Sequence, residues 1–382
     1  MSLTAEEVES QLGHMNAGVR WSLAQSSNFT PTSEQVDRLM QDPDVNVRVA
    51  LAERKDFTPT PQQVEKGLRD KHLRVRRAWV ERIDYTPTAL QIERGLKDRA
   101  GVVRAAWAEK MNWTPTPEQI EKGLTDPVAH VRASWARRLD FSPTPEQIER
   151  GLNDKDWCVR LNWVEREDYT LTPQQIEQRL HDEDWGTRIA VVERKDFIPT
   201  PEQIEIGLQD KEWRVREAWV KKRNFTPTSL QIERGLKDAQ GSVVLAWIRR
   251  KDFTPTPQQV ERGLRSKSIE IRVAWAKRMD WTPTPEQIER GLTDKHWMVR
   301  KAWVQRTDYT PTLEQLHRII RDEDSEVVLA CLGRNGITWD DVSIQQGLQH
   351  NEKHIRDAWK QVLQRQNMDI MESYDSDILL SL

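Results

Sequence analysis

Two columns of basic residues recur every 28 positions along the 382-residue sequence. Cations at such regular spacing can follow the phosphates of a nucleic acid. The first column is Arg20, Arg48, Arg76, Arg104, Arg132, Arg160, Arg188, Arg216, Arg272, Arg300 and Arg356. The second column is Arg54, Arg82, Lys110, Arg138, Arg166, Arg194, Lys222, Arg250, Arg278 and Arg306. The second column is therefore a candidate phosphate-contacting ladder.

Acidic residues accompany both columns and favour a different use of the cations. Asp70 stands six residues before Arg76, and Asp126 stands six before Arg132. Most members of the second column are followed two positions later by Asp or Asn. Because Arg forms strong paired hydrogen bonds with carboxylates, we expect mainly structural Asp–Arg bonding, with phosphate binding as the alternative.

The sequence carries none of the motifs that common catalytic or cofactor sites require. It has no GxSxG, Walker A, GxGxxG or HExxH pattern, and its glycines recur with the 28-residue period. His350 and His354 have helical spacing but no third ligand nearby, and Cys158 and Cys331 form no CxxC pair. We expect no enzyme activity, no metal site and no cofactor.

The elements that position these columns are predicted to be two short helices per repeat. In the stretch from Asp56 to Gln63, Thr60 can cap a helix, Pro61 suits its first position and Gln63 completes a capping box. Val64 and Leu68 then share one face of this first helix, helix A. Gly67 beside them would allow close approach of a second helix.

The second helix of the repeat, helix B, carries one apolar stripe. Val75, Ala78, Trp79 and Arg82 have the spacing i, i+3, i+4 and i+7, which is that of an amphipathic helix. The position of Trp79 holds Trp in most repeats and Leu23, Leu51, Val191 or Cys331 in the others. Since apolar residues replace Trp there, we expect core packing rather than a cofactor site.

Helices this short are unstable alone, so neighbouring repeats must supply the core by stacking. The sequence therefore predicts an all-α protein, an α-solenoid of about thirteen 28-residue two-helix repeats. We assign residues 1–362 to a single array. Residues 363–382 form an acidic and apolar C-terminal tail that would cap the last repeat or dock on a partner.

The phrase at residues 271–286, Ile-Arg-Val-Ala-Trp-Ala-Lys-Arg-Met-Asp-Trp-Thr-Pro-Thr-Pro-Glu, resembles the bacterial variant leucine-rich repeat and, more loosely, HEAT-like repeats. The resemblance implies a right-handed α-solenoid used mostly for binding. It also implies Asp–Arg bonds along the stack, by residues such as Asp126 and Arg132. The repeats are longer than those of the variant family and lack its cysteine cluster, so no iron–sulfur module is expected.

Positions that vary against the fixed repeat are candidates for reading out a partner. Three positions before the first Arg column stand Trp157, Trp185, Trp213 and Trp297, and one position after it stand Arg77, Glu217 and Lys301. These residues are the candidate partner-binding set. The alternatives are that they are tolerant surface sites, or that the Trp rings plug grooves between repeats.

Charge and composition narrow the class of function. Lys and Arg number 58 and Asp and Glu 61, for a net charge of -3, so no global basic surface is present. The first residues lack an export signal, and no stretch approaches 18 apolar residues. The two cysteines suit a reducing compartment. Together these features predict a cytoplasmic protein with no membrane contact. We expect a non-enzymatic protein-binding scaffold of inhibitor, immunity or adaptor type. The alternative is a nucleic-acid-binding solenoid, and the oligomeric state is left open.

Overall fold

The Thr-Pro phrase starts helix A as the sequence predicts. In the computed structural model, the side chain of Thr60 accepts a hydrogen bond from the Gln63 backbone N–H at 3.3 Å. The Gln63 side chain in turn accepts one from the Thr60 N–H at 2.9 Å. Pro61 occupies the first turn, where its missing N–H costs nothing. This reciprocal cap fixes where each helix A begins.

The structure describes the backbone of residues 3–379 and the side chains of residues 3–366. Within that backbone the chain forms 26 α-helices and no strand. The helices fall into two compact units, Met1–Phe197 and Ile198–Leu382. The first unit holds α1 Ala5–Leu12, α2 Ala17–Gln25, α3 Ser33–Leu39, α4 Val45–Glu53, α5 Pro61–Leu68, α6 Leu73–Glu81, α7 Ala89–Gly95, α8 Gly101–Glu109, α9 Pro117–Leu124, α10 Ala129–Ala136, α11 Pro145–Leu152, α12 Trp157–Glu165, α13 Pro173–Leu180 and α14 Trp185–Glu193. The second unit holds α15 Pro201–Gly207, α16 Trp213–Lys221, α17 Ser229–Gly235, α18 Gly241–Arg249, α19 Pro257–Leu264, α20 Ile269–Ala276, α21 Pro285–Leu292, α22 Trp297–Val304, α23 Leu313–Ile319, α24 Ser325–Leu332, α25 Asp341–Leu348 and α26 Lys353–Leu379.

Helix pairs are the building block of each unit. Odd-numbered helices are helix A and even-numbered helices are helix B of successive repeats. Each helix A packs on its own helix B, as α9 does on α10, while each helix B packs on the helix B of neighbouring repeats, as α10 does on α8 and α12. The chain is thus an all-α repeat solenoid, as predicted, and within each unit the B helices form a continuous layer.

A Trp on helix B lies directly against a Gly on helix A of the same repeat. A Cβ atom built on Gly123 would lie 2.2 Å from the ring of Trp135, which is buried. The same contact joins Gly67 to Trp79, Gly95 to Trp107, Gly151 to Trp163, Gly207 to Trp219, Gly235 to Trp247, Gly263 to Trp275, Gly291 to Trp303 and Gly347 to Trp359. The expected core role of this Trp column is confirmed.

The repeats that lack the Trp also lack the Gly. Their helix A and helix B residues at these two positions are Gln11 with Leu23, Leu39 with Leu51, Arg179 with Val191, and Ile319 with Cys331. A smaller residue on helix B therefore goes with a larger one on helix A, so the space between the helices stays filled. This compensation shows that each repeat is packed as a matched pair.

The last helix, α26, runs from Lys353 to Leu379. The predicted docking of the C-terminal tail depends on side chains at 367–382, which lie outside the described ones. It therefore stays a prediction.

Replacing Gly123 by Ala should lower the free energy of unfolding by about 1–3 kcal/mol, because its Cβ would overlap the Trp135 ring. The matched control is Gly241→Ala at the first residue of α18, where a Cβ meets nothing within 4 Å and stability should change by less than about 1 kcal/mol. Urea denaturation measures both. In a Trp135→Leu background the Gly123→Ala change should cost little; an equal loss in both backgrounds would contradict the matched-pair packing.

Candidate functional site

The second basic column lies inside the stack rather than on its surface. Its members follow the last residue of helix B and extend back to the preceding repeat. Buried members are Arg54, Arg82, Lys110, Arg138, Arg166, Arg194, Arg250, Arg278 and Arg306, and Lys222 is half-buried. We call these residues the cap ladder.

Arg138 shows how the cap ladder bonds. Its Nη1 donates to the carbonyl oxygens of Ala108 at 2.8 Å and Lys110 at 3.0 Å, at the C-terminal end of α8. Its Nη2 donates to the carbonyl of Trp113 at 2.9 Å, and the guanidinium lies 4.6 Å from the centre of the Trp113 ring. Asp140 accepts from Nε at 2.9 Å and from Nη2 at 2.5 Å. All five N–H donors of Arg138 are therefore used within the protein.

This arrangement removes the cap ladder from the candidate phosphate sites. A guanidinium whose five donors are satisfied, and whose side chain is 1% exposed as Arg138 is, offers no hydrogen bond to a nucleic acid. Its charge is used at the C-terminal end of the preceding helix B, where cations are favourable. Equivalent carbonyl and carboxylate groups of other repeats accept hydrogen bonds from Arg82, Arg166, Arg250, Arg278 and Arg306. The phosphate ladder expected as the alternative function is thus internal.

One repeat achieves the same cap with a different pair of residues. Lys110 Nζ donates to the carbonyl of Val80 at 3.0 Å, and Asn112 Nδ2 donates to the carbonyl of Tyr85 at 2.7 Å. In the repeats that carry Arg at this position, a guanidinium arm makes the second of these bonds. Lys222 is likewise followed by Asn224, so Lys goes with Asn where Arg goes with Asp. Burial lowers the pKa of Lys110 to about 8.

Most members of the first Arg column join their own repeat to the following one within a unit. Arg132 donates from Nε and Nη2 to the two carboxylate oxygens of Asp154, both at 2.6 Å, and Nη1 donates to the carbonyl of Asp126 at 2.8 Å. The expected side-chain pairing of Arg132 with Asp126 is therefore wrong. The Asp126 carboxylate accepts from Arg104 instead, because each guanidinium leaves helix B toward the following repeat.

A paired loss in the sequence supports this register of 22 residues. Where the first column holds Val244, the residue 22 positions later is Ser266, and where it holds Val328 that residue is His350. Asp238, six residues before Val244, is retained because it pairs with Arg216 at 2.7 Å. The same bond joins Arg20 to Asp42, Arg48 to Asp70, Arg76 to Asp98, Arg160 to Asp182, Arg272 to Asp294 and Arg300 to Asp322.

A third set of bonds ties helix A of one repeat to helix A of the next. Glu65 accepts from Gln91 at 3.1 Å and from Arg94 at 2.8 Å, and the Arg94 hydrogen bond lowers the pKa of Glu65 to about 2. Glu233 and Glu261 have equivalent partners and similarly lowered pKa values of about 2. The regular charges of the repeat are therefore largely engaged in bonds between repeats.

The candidate partner-binding Trp residues lie at the first position of helix B. Trp157 in α12 is 51% exposed and Trp185 in α14 is 44% exposed, so neither ring is a buried plug. Trp213 and Trp297 are half-buried; Trp213 lies beside the guanidinium of Arg214, and Trp297 stacks on His296. Equivalent register does not give the four rings the same surroundings.

The charged members of the candidate set are tied to neighbours. Arg77 pairs with Glu81 at 2.7 Å, Glu217 with Lys221 at 2.8 Å and Lys301 with Glu326 at 2.6 Å. The first two pairs join residues one helical turn apart at the surface, where ion pairs contribute little stability. These residues remain accessible to a partner, although each already has an ion-pair partner within the chain.

An apolar groove in the second unit was not predicted from the sequence. It is a cavity of about 620 Å³ lined by residues of α18, α20 and α22. Its apolar lining includes Leu245, Ile248, Ile269, Val273 and Met298. Three exposed cations, Arg249, Lys251 and Lys277, border it and make no ion pair among residues 3–366, and an exposed acid, Glu270, borders it in the first turn of α20. We call this cavity the basic groove. The only feature of the sequence that indicates it is the pair of apolar residues Leu245 and Val273, each one position after the first Arg column.

A polar cleft in the first unit surrounds a departure from the repeat. Arg179 occupies the position of the helix A Gly and donates to the carbonyl of Leu152 at 2.7 Å and to Asp182 at 2.8 Å. Asp182 also accepts from Arg160, so two guanidinium groups share one carboxylate. The buried Nε of Arg179 has no hydrogen-bond partner. Glu149, Asn153 and His181 add to the polar lining.

The described residues show neither a metal centre nor a membrane span. Among them, no three His, Cys, Asp or Glu side chains are grouped so that they could hold a metal ion. No helix in the same part of the chain is both long and apolar enough to cross a bilayer.

Comparison with known proteins returns a similarity of structure. No protein-family model matches the sequence, and no curated protein matches it. Among solved structures, a protein described as a leucine-rich repeat variant with a novel repetitive protein structural motif is 23% identical, with a TM-score of 0.40. The similarity covers 67% of this chain and 90% of that one. The fold assignment rests on the 26 helices themselves.

The Lys110 site predicts a pH dependence that an Arg in its place should lack. The folded chain releases the Lys110 proton near pH 8, whereas the unfolded chain holds it until about pH 10.4. Between those values the unfolded state binds more protons, so the free energy of unfolding should rise with pH relative to Lys110→Arg, by at most about 3 kcal/mol. Urea denaturation of both proteins from pH 7 to 10 measures this difference. Parallel stability curves would contradict the buried position of the ammonium group.

Proposed function

We propose that this protein is a non-enzymatic, cytoplasmic protein-binding scaffold of inhibitor, immunity or adaptor type. The supporting observation is a division of roles between side chains. The regular cations bond within and between repeats, as Arg138 and Arg132 do. The large apolar side chains of Trp157, Trp185 and Met298 lie on helix B and are 51%, 44% and 46% exposed.

Trp157 and Trp185 are the strongest candidates for contact with a partner. They occupy the same position of consecutive B helices, and each leaves about half of its side chain in solvent. A large exposed aromatic surface is unfavourable for an isolated protein, and Trp is enriched among residues that dominate binding energy. A protein surface that covers both rings would remove this unfavourable exposure.

The basic residues that suggested nucleic-acid binding in the sequence are bonded within the protein. The cap ladder is internal, and the first Arg column is paired with Asp. The exposed cations of the basic groove are too few to give a long phosphate track, but they make a nuclease control necessary.

The joint change Trp157→Ala and Trp185→Ala should abolish capture of a partner while shifting the free energy of unfolding by no more than about 1 kcal/mol, since both rings are half exposed. The matched control is Trp163→Ala in the same helix, α12. Trp163 is buried, so its loss should cost about 3–5 kcal/mol.

Affinity capture from a lysate of the source cells, with and without nuclease and followed by mass spectrometry, measures partner binding. The proposal expects recovery that resists nuclease and depends on Trp157 and Trp185. Recovery that nuclease abolishes would favour the nucleic-acid function. Capture that survives the double change would place the binding surface elsewhere.

A further inference from the structure

Two apolar surfaces formed by B helices differ from the others in the charged residues at their edges. The first, in unit Met1–Phe197, consists of α12 and α14 and has Trp157, Leu161, Trp185 and Ile189 along it. We call it the tryptophan face. The second, in unit Ile198–Leu382, is the basic groove of α18, α20 and α22. Both faces are built from the same repeat positions, so the residues of α12 and α14 correspond to those of α18 and α20.

The two faces carry opposite charge at the same end of helix B. The last residue of α12 is Glu165 and that of α14 is Glu193, both exposed. The last residue of α18 is Arg249, and Lys277 follows the last residue of α20 at the equivalent repeat position. None of these four side chains has an ion-pair partner among residues 3–366. Each face thus presents exposed charges that the other can neutralise.

The two faces are also complementary in size at the other end of helix B. Trp157 and Trp185 begin the helices of the tryptophan face, whereas Gly241 and Ile269 begin α18 and α20. A Cβ built on Gly241 meets nothing within 4 Å, so open space lies where the tryptophan face has a ring. Between the two ends, Leu161 and Ile189 correspond to apolar Leu245 and Val273.

We propose that the tryptophan face of one chain docks on the basic groove of a second copy, with the repeats of the two faces in opposite order. Rotation about an axis parallel to helix B keeps the C-terminal ends of the helices together and reverses the order of repeats. Trp185 then lies over Gly241, Glu193 beside Arg249 and Glu165 beside Lys277. The proposal deepens the proposed function, on which it rests, by naming one protein partner as the chain itself.

The pairing is selective because the residue at the C-terminal end of helix B is acidic in the tryptophan face and basic in the basic groove. Two tryptophan faces would bring Glu165 and Glu193 against each other, and two basic grooves would oppose Arg249 and Lys277. Like charges in contact disfavour both arrangements. Because the two faces are different surfaces, the contact is heterologous and joins one copy to the next.

Sedimentation velocity of the purified full chain tests the proposal. At about 10–100 µM the chain should self-associate and sediment with a mass of at least twice its 44.8 kDa. The changes R249E and K277E together should raise the dissociation constant about 100-fold or more, and so should E165K and E193K together. An equimolar mixture of the two variants should associate again, because one then has two acidic faces and the other two basic faces.

The matched control reverses two exposed cations on helix A, K66E in α5 with K122E in α9, and should leave the dissociation constant unchanged. A wild-type chain that stays monomeric at about 100 µM would overturn the proposal, and so would a mixture of the two variants that fails to associate. Monomeric protein that still captures a different partner through Trp157 and Trp185 would overturn self-association while leaving the proposed function standing. A charge-dependent dimer that captures no other protein would support self-association and contradict the inhibitor, immunity or adaptor role.

Discussion

The structure depends on a cation that bonds the C-terminal carbonyl groups of a neighbouring helix B. Cap-ladder residues within a unit, such as Arg138 and Arg278, donate hydrogen bonds to the last carbonyls of the preceding helix B. Those carbonyls have no partner within their own helix. Helices of seven to nine residues are too short to hold together alone, so a repeat is complete only when the next one is folded beside it. The cap ladder thereby makes stacking obligatory.

The other two sets of bonds follow from the same constraint. The Arg132–Asp154 pair and the Glu65–Arg94 pair both cross from one repeat to the next, one on the helix B side and the other on helix A. Within a repeat, the Trp and Gly pair sets how closely helix A lies on helix B. Outward positions of helix B take no part in these contacts, and they vary between repeats, as Trp157 and Gly241 do.

Much of the fold is predictable from the spacing of residues, and the failures have physical causes. The capping box at Thr60 and Gln63, the helix pairs and the core role of Trp79 follow from local patterns. The predicted partner of Arg132 was wrong because proximity in sequence favoured Asp126, whereas the guanidinium crosses to the next repeat. The sequence does indicate the correct register, because Arg and its partner Asp are both absent at the related positions Val244 and Ser266. Sequence could not reveal the basic groove, since its apolar lining and its cations come together only when three B helices stack.

Native-state hydrogen exchange of the Arg138→Ala protein tests the central claim most directly. If Arg138 stabilises the repeat before its own, amide protection should fall most in α8, whose terminal carbonyls lose their donors, and less in α10, which carries the substitution. Arg77→Ala, which removes an exposed cation paired only within its own helix, should leave both helices unchanged. Loss of protection confined to α10, or none at all, would contradict the account.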